Sequence, residues 1–493
     1  MNKKLIVYPF LFAMYPSLFL YANNFREVDL TALFLPIVFS LLGTLLIWWL
    51  LYIINHDFEK SAFITTLIIV FFFSYGHFSS LIMGLKLGEF VLLRNRYRAV
   101  IYLVFFLFAC FWAVCKFDKI RRFKEWLNLA AFIIIMFLLI NLIGQKLARV
   151  KIDESRQSSG GAKIIATANQ PDIYYLILDG YARRDVQQEI FGVAYDALFS
   201  YLRNKKFYLA TQSTSNYAMT SLSLTSSLNM KYFLSSEEFM QRNTQENEVE
   251  NQLRRHGYKI YGLEAGVMTE KNVKSSKRGI SNSSFWLMII NTTMVEMVAH
   301  RLNLYAPVIR AEVLGAYNQL EKVVPKTGPK FVFVRIPSPH PPYIFNRHGA
   351  AVNTVKFKAC GDVWKTSWDD KTAYYEQLNF ISDRTIQSLN YILSNSKRQP
   401  IIIVQSDHGP QFSDEKNGFY RKRMGILNAY YLPPGIKKRL YQTITPVNSF
   451  RLVLSEIIGL KYPLLPDYNY FSTMERPYDF HRIKDINQSG RIE

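Results

Sequence analysis

The chain has 493 residues, a formal net charge of +21, 49 % hydrophobic residues and 15 % aromatics. That length suits more than one domain. With three cysteines and no nucleic-acid signature, neither a disulfide scaffold nor a DNA- or RNA-binding protein is indicated.

Apolar residues crowd the first part of the chain, to about residue 147. Five runs approach the ~20 residues a helix needs to cross a bilayer: 5–22, 31–55, 62–85, 99–117 and 126–145. The first contains Pro9 and Pro16 behind Lys3 and Lys4 and resembles a signal peptide, but it lacks a small-residue cleavage site and reads better as a retained helix. Basic loops face the cytoplasm. Lys3, Lys4 and the stretch "KFDKIRRFK" (116–124) then lie inside, and an odd number of crossings places everything after the last run outside. Lys86, Arg94, Arg96 and Arg98 fall on the outer side, against that rule. Cys110 and Cys115 share one apolar run and read as packing, while Cys360 stands alone in the second half, where no disulfide is available to it.

Residues 1–150 carry 15 Lys/Arg against 7 Asp/Glu, leaving 44 against 31 for the rest, so the excess charge is shared. A basic domain beside a membrane suits anionic headgroups or phosphate-rich substrates. The reading is a transmembrane domain over 1–147, a linker over 148–170 and an extracytoplasmic domain over 171–493. The Ser- and Gly-containing stretch "DESRQSSGGAKIIATANQ" (153–170) supplies the linker.

Beyond it, short apolar strands are expected at "DIYYLILDGY" after Pro171, at 258–263, 330–336, 400–406 and 429–433. Amphipathic helices are expected at 371–396 and 446–460. The fold class is therefore a multi-pass α-helical membrane domain followed by an α/β domain with a mainly parallel sheet flanked by helices. The apolar segment "SFWLMIINTTMVEMVAHRL" (284–302) fits either a helix lying on a membrane surface or a buried core helix.

Chemistry collects at the carboxyl ends of parallel strands. "IIIVQSDHGP" (401–410) delivers Asp407 and His408 there, with Gly409 to permit the turn, and "YYLILDG" delivers Asp179. A carboxylate and a neutral imidazole suit a divalent transition metal. Each ending alone is as well explained by a helix cap or a bystander histidine. Two such endings in one sheet could share a crevice. Between them lies the hydroxyl-rich "STSNYAMTSLSLTSSLNM" (213–230).

The order of these parts resembles the alkaline phosphatase superfamily, in particular its sulfatase-like branch: an acidic ligand after the first strand, a nucleophile at a helix N-terminus, and a late Asp-His-Gly. The resemblance covers roughly 171–465. It implies one divalent metal, zinc or manganese, held by Asp179, Thr220, Asp407 and His408. Thr220 would be the nucleophile, with Thr214 and then Ser215 as alternatives. "IPSPHPPYIFNRHG" (336–349) is similar to the branch's His-x-Pro-Tyr segment, which makes His340 a group that binds the transferred moiety or protonates the leaving group, and Tyr343 a substrate contact. The membrane part is similar in architecture to lipoteichoic acid synthases and phosphoethanolamine transferases.

Two departures from the branch bear on the chemistry. No histidine occurs in 412–433, where Arg421, Lys422 and Arg423 stand instead, which favours a single metal. Thr220 cannot be oxidised to the aldehyde that sulfatases use, which favours phosphoryl transfer. The resemblance then implies a transferase in a bacterial inner membrane, moving a phosphorus-bearing headgroup from a membrane lipid donor to an envelope glycan or lipid acceptor. Hydrolysis of a phosphate or sulfate ester, or a non-catalytic envelope protein of this fold, are the alternatives.

Overall fold

The computed structural model describes residues 5–25, 28–83, 86–87, 90–91, 95–117, 124–158, 170–241, 247–264, 267–270, 282–299, 302–352, 368–412, 418–474, 476–486 and 491–492. The chain divides into two compact units. One holds residues 1–159, 280–308 and 359–361, and the other holds the remainder.

In the N-terminal unit all five apolar runs are helical: α1 (Tyr8–Asn24), α2 (Phe34–Asn55), α3 (Phe58–Met83), α4 (Asn95–Cys115) and α5 (Lys124–Ser158). Four spans, Leu30–Asn55, Phe58–Ile82, Tyr97–Cys115 and Lys124–Leu147, are long and apolar enough to cross a membrane. The first run is shorter. Its 17 residues rise about 26 Å at 1.5 Å each, and they bury Tyr8, Pro9, Ala13, Ser17, Tyr21 and Ala22. Asn128 of α5 serves its N-terminus. The Oδ1 accepts from Val7 N and Tyr8 N at 3.1 and 3.0 Å, so two donors that would be orphaned at a helix start are satisfied in an apolar setting.

α5 runs to Ser158, into the stretch expected as linker. The reason is composition: "KLARVKIDESRQ" is rich in good helix formers. Arg98, expected in an outer loop, is buried on α4 and donates to the Ser79 carbonyl of α3 at 3.2 Å. Cys110 and Cys115 are free thiols, and Cys360 lies outside the described residues.

The second unit is built on a seven-stranded sheet: β1 (Ile173–Leu178), β2 (Tyr208–Leu209), β3 (Lys259–Glu264), β4 (Val267–Glu270), β5 (Lys330–Ile336), β6 (Ile401–Gln405) and β7 (Asn428–Tyr431), in the order β2-β7-β6-β1-β5-β3-β4. The four central strands are parallel, and β2, β7 and β4 add antiparallel edges. Strands buried on both faces lose polar–apolar alternation, which is why β1 reads "IYYLIL" and is buried at every residue. Ile173, Tyr175 and Ile177 join Leu224 and Leu228 of α6 (Thr220–Asn229) and Phe450 and Val453 of α8 (Pro446–Ile457) in one core. Between these in sequence, α7 (Lys371–Asn395) starts where the Asp370 carboxylate accepts from Ala373 N at 2.9 Å.

Register fixes the site. Ile177 pairs with both Arg335 and Gln405, so β5, β1 and β6 end level with one another. Asp179, the Ser338–Phe345 loop and Asp407-His408 therefore emerge side by side.

Candidate active site and metal centre

Asp179 and Asp407 are both buried, and each keeps one carboxylate oxygen without a hydrogen-bond partner: Asp179 Oδ1 and Asp407 Oδ2. Their other oxygens are occupied. Asp179 Oδ2 accepts from Arg335 Nη2 at 2.6 Å, and Asp407 Oδ1 accepts from Gly180 N at 3.1 Å and His408 N at 3.0 Å. The two bare oxygens face one object. His408 Nε2 lies 3.7 Å from Asp179 Oδ1, 3.5 Å from Asp407 Oδ2 and 3.1 Å from Thr220 Oγ1.

The opposite nitrogen sets the tautomer. His408 Nδ1 lies 3.0 Å from the Gly409 carbonyl, an acceptor, so it carries the proton and Nε2 presents a lone pair. Burial holds His408 well below the ordinary histidine range, and the nearby Arg423 charge adds to that effect. The imidazole is neutral, so it does not neutralise the two carboxylates beside it. His340 repeats the arrangement with Nδ1 2.7 Å from the Pro341 carbonyl, and burial lowers its pKa while the charge of Asp179 pulls the other way.

Donor atoms of Asp179, His340 and His408 lie within 4.8 Å of one another. Unpaired buried anionic oxygens cost several kcal/mol each, and one carboxylate oxygen and two imidazole nitrogens converging beside a second carboxylate fit a divalent cation. His340, expected to contact the transferred group or act as an acid, is thus placed as an electron-pair donor beside Asp179 and His408. Its tautomer offers no proton toward them.

Thr220 is the first residue of α6, after an extended Met219. A helix start favours negative charge. One turn further, Ser223 Oγ donates to the Asp407 carbonyl at 2.8 Å and fastens the helix to the end of β6. The alternative hydroxyls are engaged elsewhere: Thr214 Oγ1 accepts from Asn469 Nδ2 at 2.9 Å, and Ser215 Oγ lies 3.5 Å from Met424 Sδ.

Of the three cations at 421–423, Arg423 alone turns inward. Arg421 pairs with Asp185 at 2.8 Å and with Glu189, and Lys422 pairs with Glu189 at 3.0 Å. Arg423 is buried, donates from Nη1 to the Gly409 carbonyl at 2.8 Å and from Nη2 to the Ala218 carbonyl, and lies over the Trp368 ring at 5.7 Å. Burial lowers its pKa to about 10, which leaves it charged at neutral pH.

Tyr343, expected to touch substrate, donates its hydroxyl to the Trp368 carbonyl at 3.3 Å and is buried. Its geometry supports Trp368, whose ring packs edgewise on His340 at 4.8 Å between centroids. Gly409 is needed for a different reason from the turn expected of it. A Cβ there would overlap the Lys422 carbonyl, because the two chain segments touch. Gly180 does adopt a left-handed conformation, φ +73°, and a Cβ would come within 2.8 Å of Trp368 Cη2.

Arg335, Trp368 and Gln377, whose amide Nε2 donates to the His340 carbonyl at 3.2 Å, were not marked by sequence reasoning. Arg335 had a signal, a charge inside the apolar strand "KFVFVRI"; the other two had none.

The sulfatase family model matches residues 171–450, more than half of the chain. No curated protein matches the chain. Among solved structures, the chain is similar to the C-terminal periplasmic domain of EcEptC from Escherichia coli, at 14 % identity and TM-score 0.40 over 62 % of this chain and 90 % of that one. It is also similar to the periplasmic domain of the phosphoethanolamine transferase EptC from Campylobacter jejuni, at 12 %, TM-score 0.36, 61 % and 94 %. A third is a putative sulfatase from Bacteroides thetaiotaomicron, at 11 %, TM-score 0.39, 66 % and 85 %. With the family match spanning the sheet and its crevice, the chain belongs to the sulfatase family and is an enzyme of the sulfatase-like phosphotransferase or hydrolase type.

Proposed function

We propose that this enzyme transfers a phosphorus-bearing headgroup from a membrane lipid donor to an envelope glycan or lipid through a covalent threonine intermediate. The observation that carries this reading is Thr220 Oγ1, at a helix start and 3.1 Å from His408 Nε2, a nitrogen that itself lies 3.7 and 3.5 Å from two carboxylate oxygens without a hydrogen-bond partner. Threonine cannot become the aldehyde of a sulfatase, so the hydroxyl itself is the nucleophile.

Asp179, Asp407, His408 and His340, with the Thr220 hydroxyl, would hold one divalent cation, and this oxygen and nitrogen donor set suits zinc or manganese. Bound there, the cation supplies positive charge opposite the phosphate and lowers the proton affinity of an adjacent oxygen. Arg335 fixes the orientation of Asp179 through Oδ2. Arg423, held by two carbonyls, opposes the charge that develops on the phosphoryl oxygens.

Thr220 Oγ1 bonds to phosphorus as the bond from phosphorus to the lipid alcohol breaks, and the alcohol leaves with the proton that threonine gives up. An acceptor hydroxyl then displaces Oγ1 from phosphorus and returns a proton to it. Water in that role would make the enzyme a hydrolase. Four membrane-length apolar helices, Lys3/Lys4 and the basic stretch 116–124 support a bacterial cytoplasmic membrane as its location, with the catalytic unit on the periplasmic or extracellular side if the shorter first run also crosses.

Mass spectrometry of the resting enzyme tests this. An adduct is expected on a peptide covering 207–231, at Thr220, with the mass of the transferred group. A substituted Thr214 or Ser215 with Thr220 unmodified would overturn the assignment.

A further inference from the structure

The segment that the sequence left open between a membrane-surface helix and a core helix takes a third course. After Gly279 the chain leaves the catalytic unit, contributes Ile280–Val308 to the N-terminal unit, and returns at Ile309. Its helix, Asn282–Thr292, buries Phe285 and Ile289 among Tyr21, Phe25, Val28, Ala32 and Leu33. Trp286 meets the exposed Phe39 of α2 edge-on at 5.7 Å.

Main chain joins the contact. Met294 N donates to the Phe72 carbonyl of α3 at 2.8 Å. One turn along α3, a Cβ at Gly76 would overlap the Asn291 carbonyl, so the helix carries glycine where this backbone crosses it. Glycine weakens a helix interior relative to alanine, and here it admits the crossing. Val298 and Leu302, further along the segment, stay exposed, as suits apolar residues beside lipid.

We propose that Ile280–Val308 is a second membrane anchor for the catalytic half of the chain, independent of the connection that follows α5. The partner surface is this protein's own α1–α3 and the lipid around them. The attachment is largely apolar burial, so it resists salt, which screens only charge contacts.

The test uses the full-length protein in membranes of the expressing cell, with a site-specific protease sequence inserted between Gly160 and Gly161. After cleavage and a wash in about 1 M salt, the fragment from residue 161 onward is expected to sediment with the membrane. Its appearance in the supernatant overturns the proposal. In Phe285→Asp/Ile289→Asp the membrane-bound share of the cleaved fragment is expected to fall about tenfold. Gly76→Leu is expected to release it similarly and leaves the sequence of the catalytic half untouched, so misfolding of that half cannot account for release. Retention of the fragment in both variants also overturns the proposal, because some other contact then holds it.

Discussion

Thr220 Oγ1 lies 3.1 Å from His408 Nε2, and that nitrogen bears no proton because its partner Nδ1 is committed to the Gly409 carbonyl. The hydroxyl therefore meets an electron-pair donor in a place where two carboxylate oxygens also lack donors. Removing the oxygen removes the nucleophile. Thr220→Ala is expected to lower turnover by at least about 1,000-fold with the fold intact, whereas Thr220→Ser, which keeps the oxygen, should stay within roughly tenfold of wild type. Initial rates on a fluorescent phospholipid, with circular dichroism as the control, read both. Equal activity in wild type and Thr220→Ala would remove this residue from the mechanism.

Asp407→Asn separates metal holding from folding. In the metal-free protein Asp407 Oδ2 is a buried anion without a donor, 3.5 Å from His408 Nε2. The introduced amide can donate toward that nitrogen and carries no charge. Metal-free variant is expected to unfold about 2–4 °C above metal-free wild type, a shift that corresponds to ~1 kcal/mol. Added zinc should raise the unfolding temperature of wild type and leave that of the variant nearly unchanged. Thermal scans with and without chelator provide the readout, and an equal zinc response in both proteins would contradict the site.

How much of this was legible in the sequence depends on what periodicity encodes. β1 and β6 announced themselves as apolar runs, and the residues just beyond their ends, Asp179 and Asp407-His408, stood out because titratable groups followed directly on apolar runs. The helix over 371–395 was readable from its apolar spacing, yet Gln377 on the same buried face looked like an ordinary polar interruption. A pattern shows which face is buried, not what it is buried against. The same limit explains segment 284–302: its apolarity was plain, but its partners Tyr21, Phe25 and Leu33 lie some 250 residues earlier. Tyr343 and Gly409 have neighbours, the Trp368 and Lys422 carbonyls, that sequence spacing does not reveal.

Arg423 offers a test of charge against geometry. Its guanidinium spans the Gly409 and Ala218 carbonyls, one next to His408 and the other two residues before Thr220. Arg423→Met leaves both carbonyls without donors, at a cost of about 1–3 kcal/mol, and removes the cation. Arg423→Lys keeps the charge but cannot reach two acceptors with a planar fork. Both variants are expected to lose stability, and the lysine variant should retain more activity than the methionine variant at the same fraction folded. If the two are equally active, the charge contributes nothing beyond structure.

Gln377 carries the loop that places His340. Pro339, Pro341 and Pro342 have no N–H, so the loop has few backbone donors for its own carbonyls, and that of Pro341 is met from within it by a side chain, through His340 Nδ1. One amide serves it from α7. Gln377 Nε2 lies 3.3, 3.2 and 3.4 Å from the carbonyls of Pro339, His340 and Pro342, and Oε1 accepts from Ile344 N at 2.8 Å and Phe345 N at 3.2 Å. Only a carboxamide offers both functions at this length. Gln377→Met preserves volume and apolarity but strips every one of these partners, and Gln377→Glu keeps the acceptor while setting negative charge against three carbonyls. Both are expected to loosen the loop and speed the loss of bound zinc to a chelator by about tenfold or more, the size usual for residues that orient a metal-binding histidine. His340→Ala provides the reference for complete loss of that donor. Should His340→Ala release zinc quickly while both Gln377 variants retain it at the wild-type rate, the amide would be holding the loop together without governing where the imidazole points.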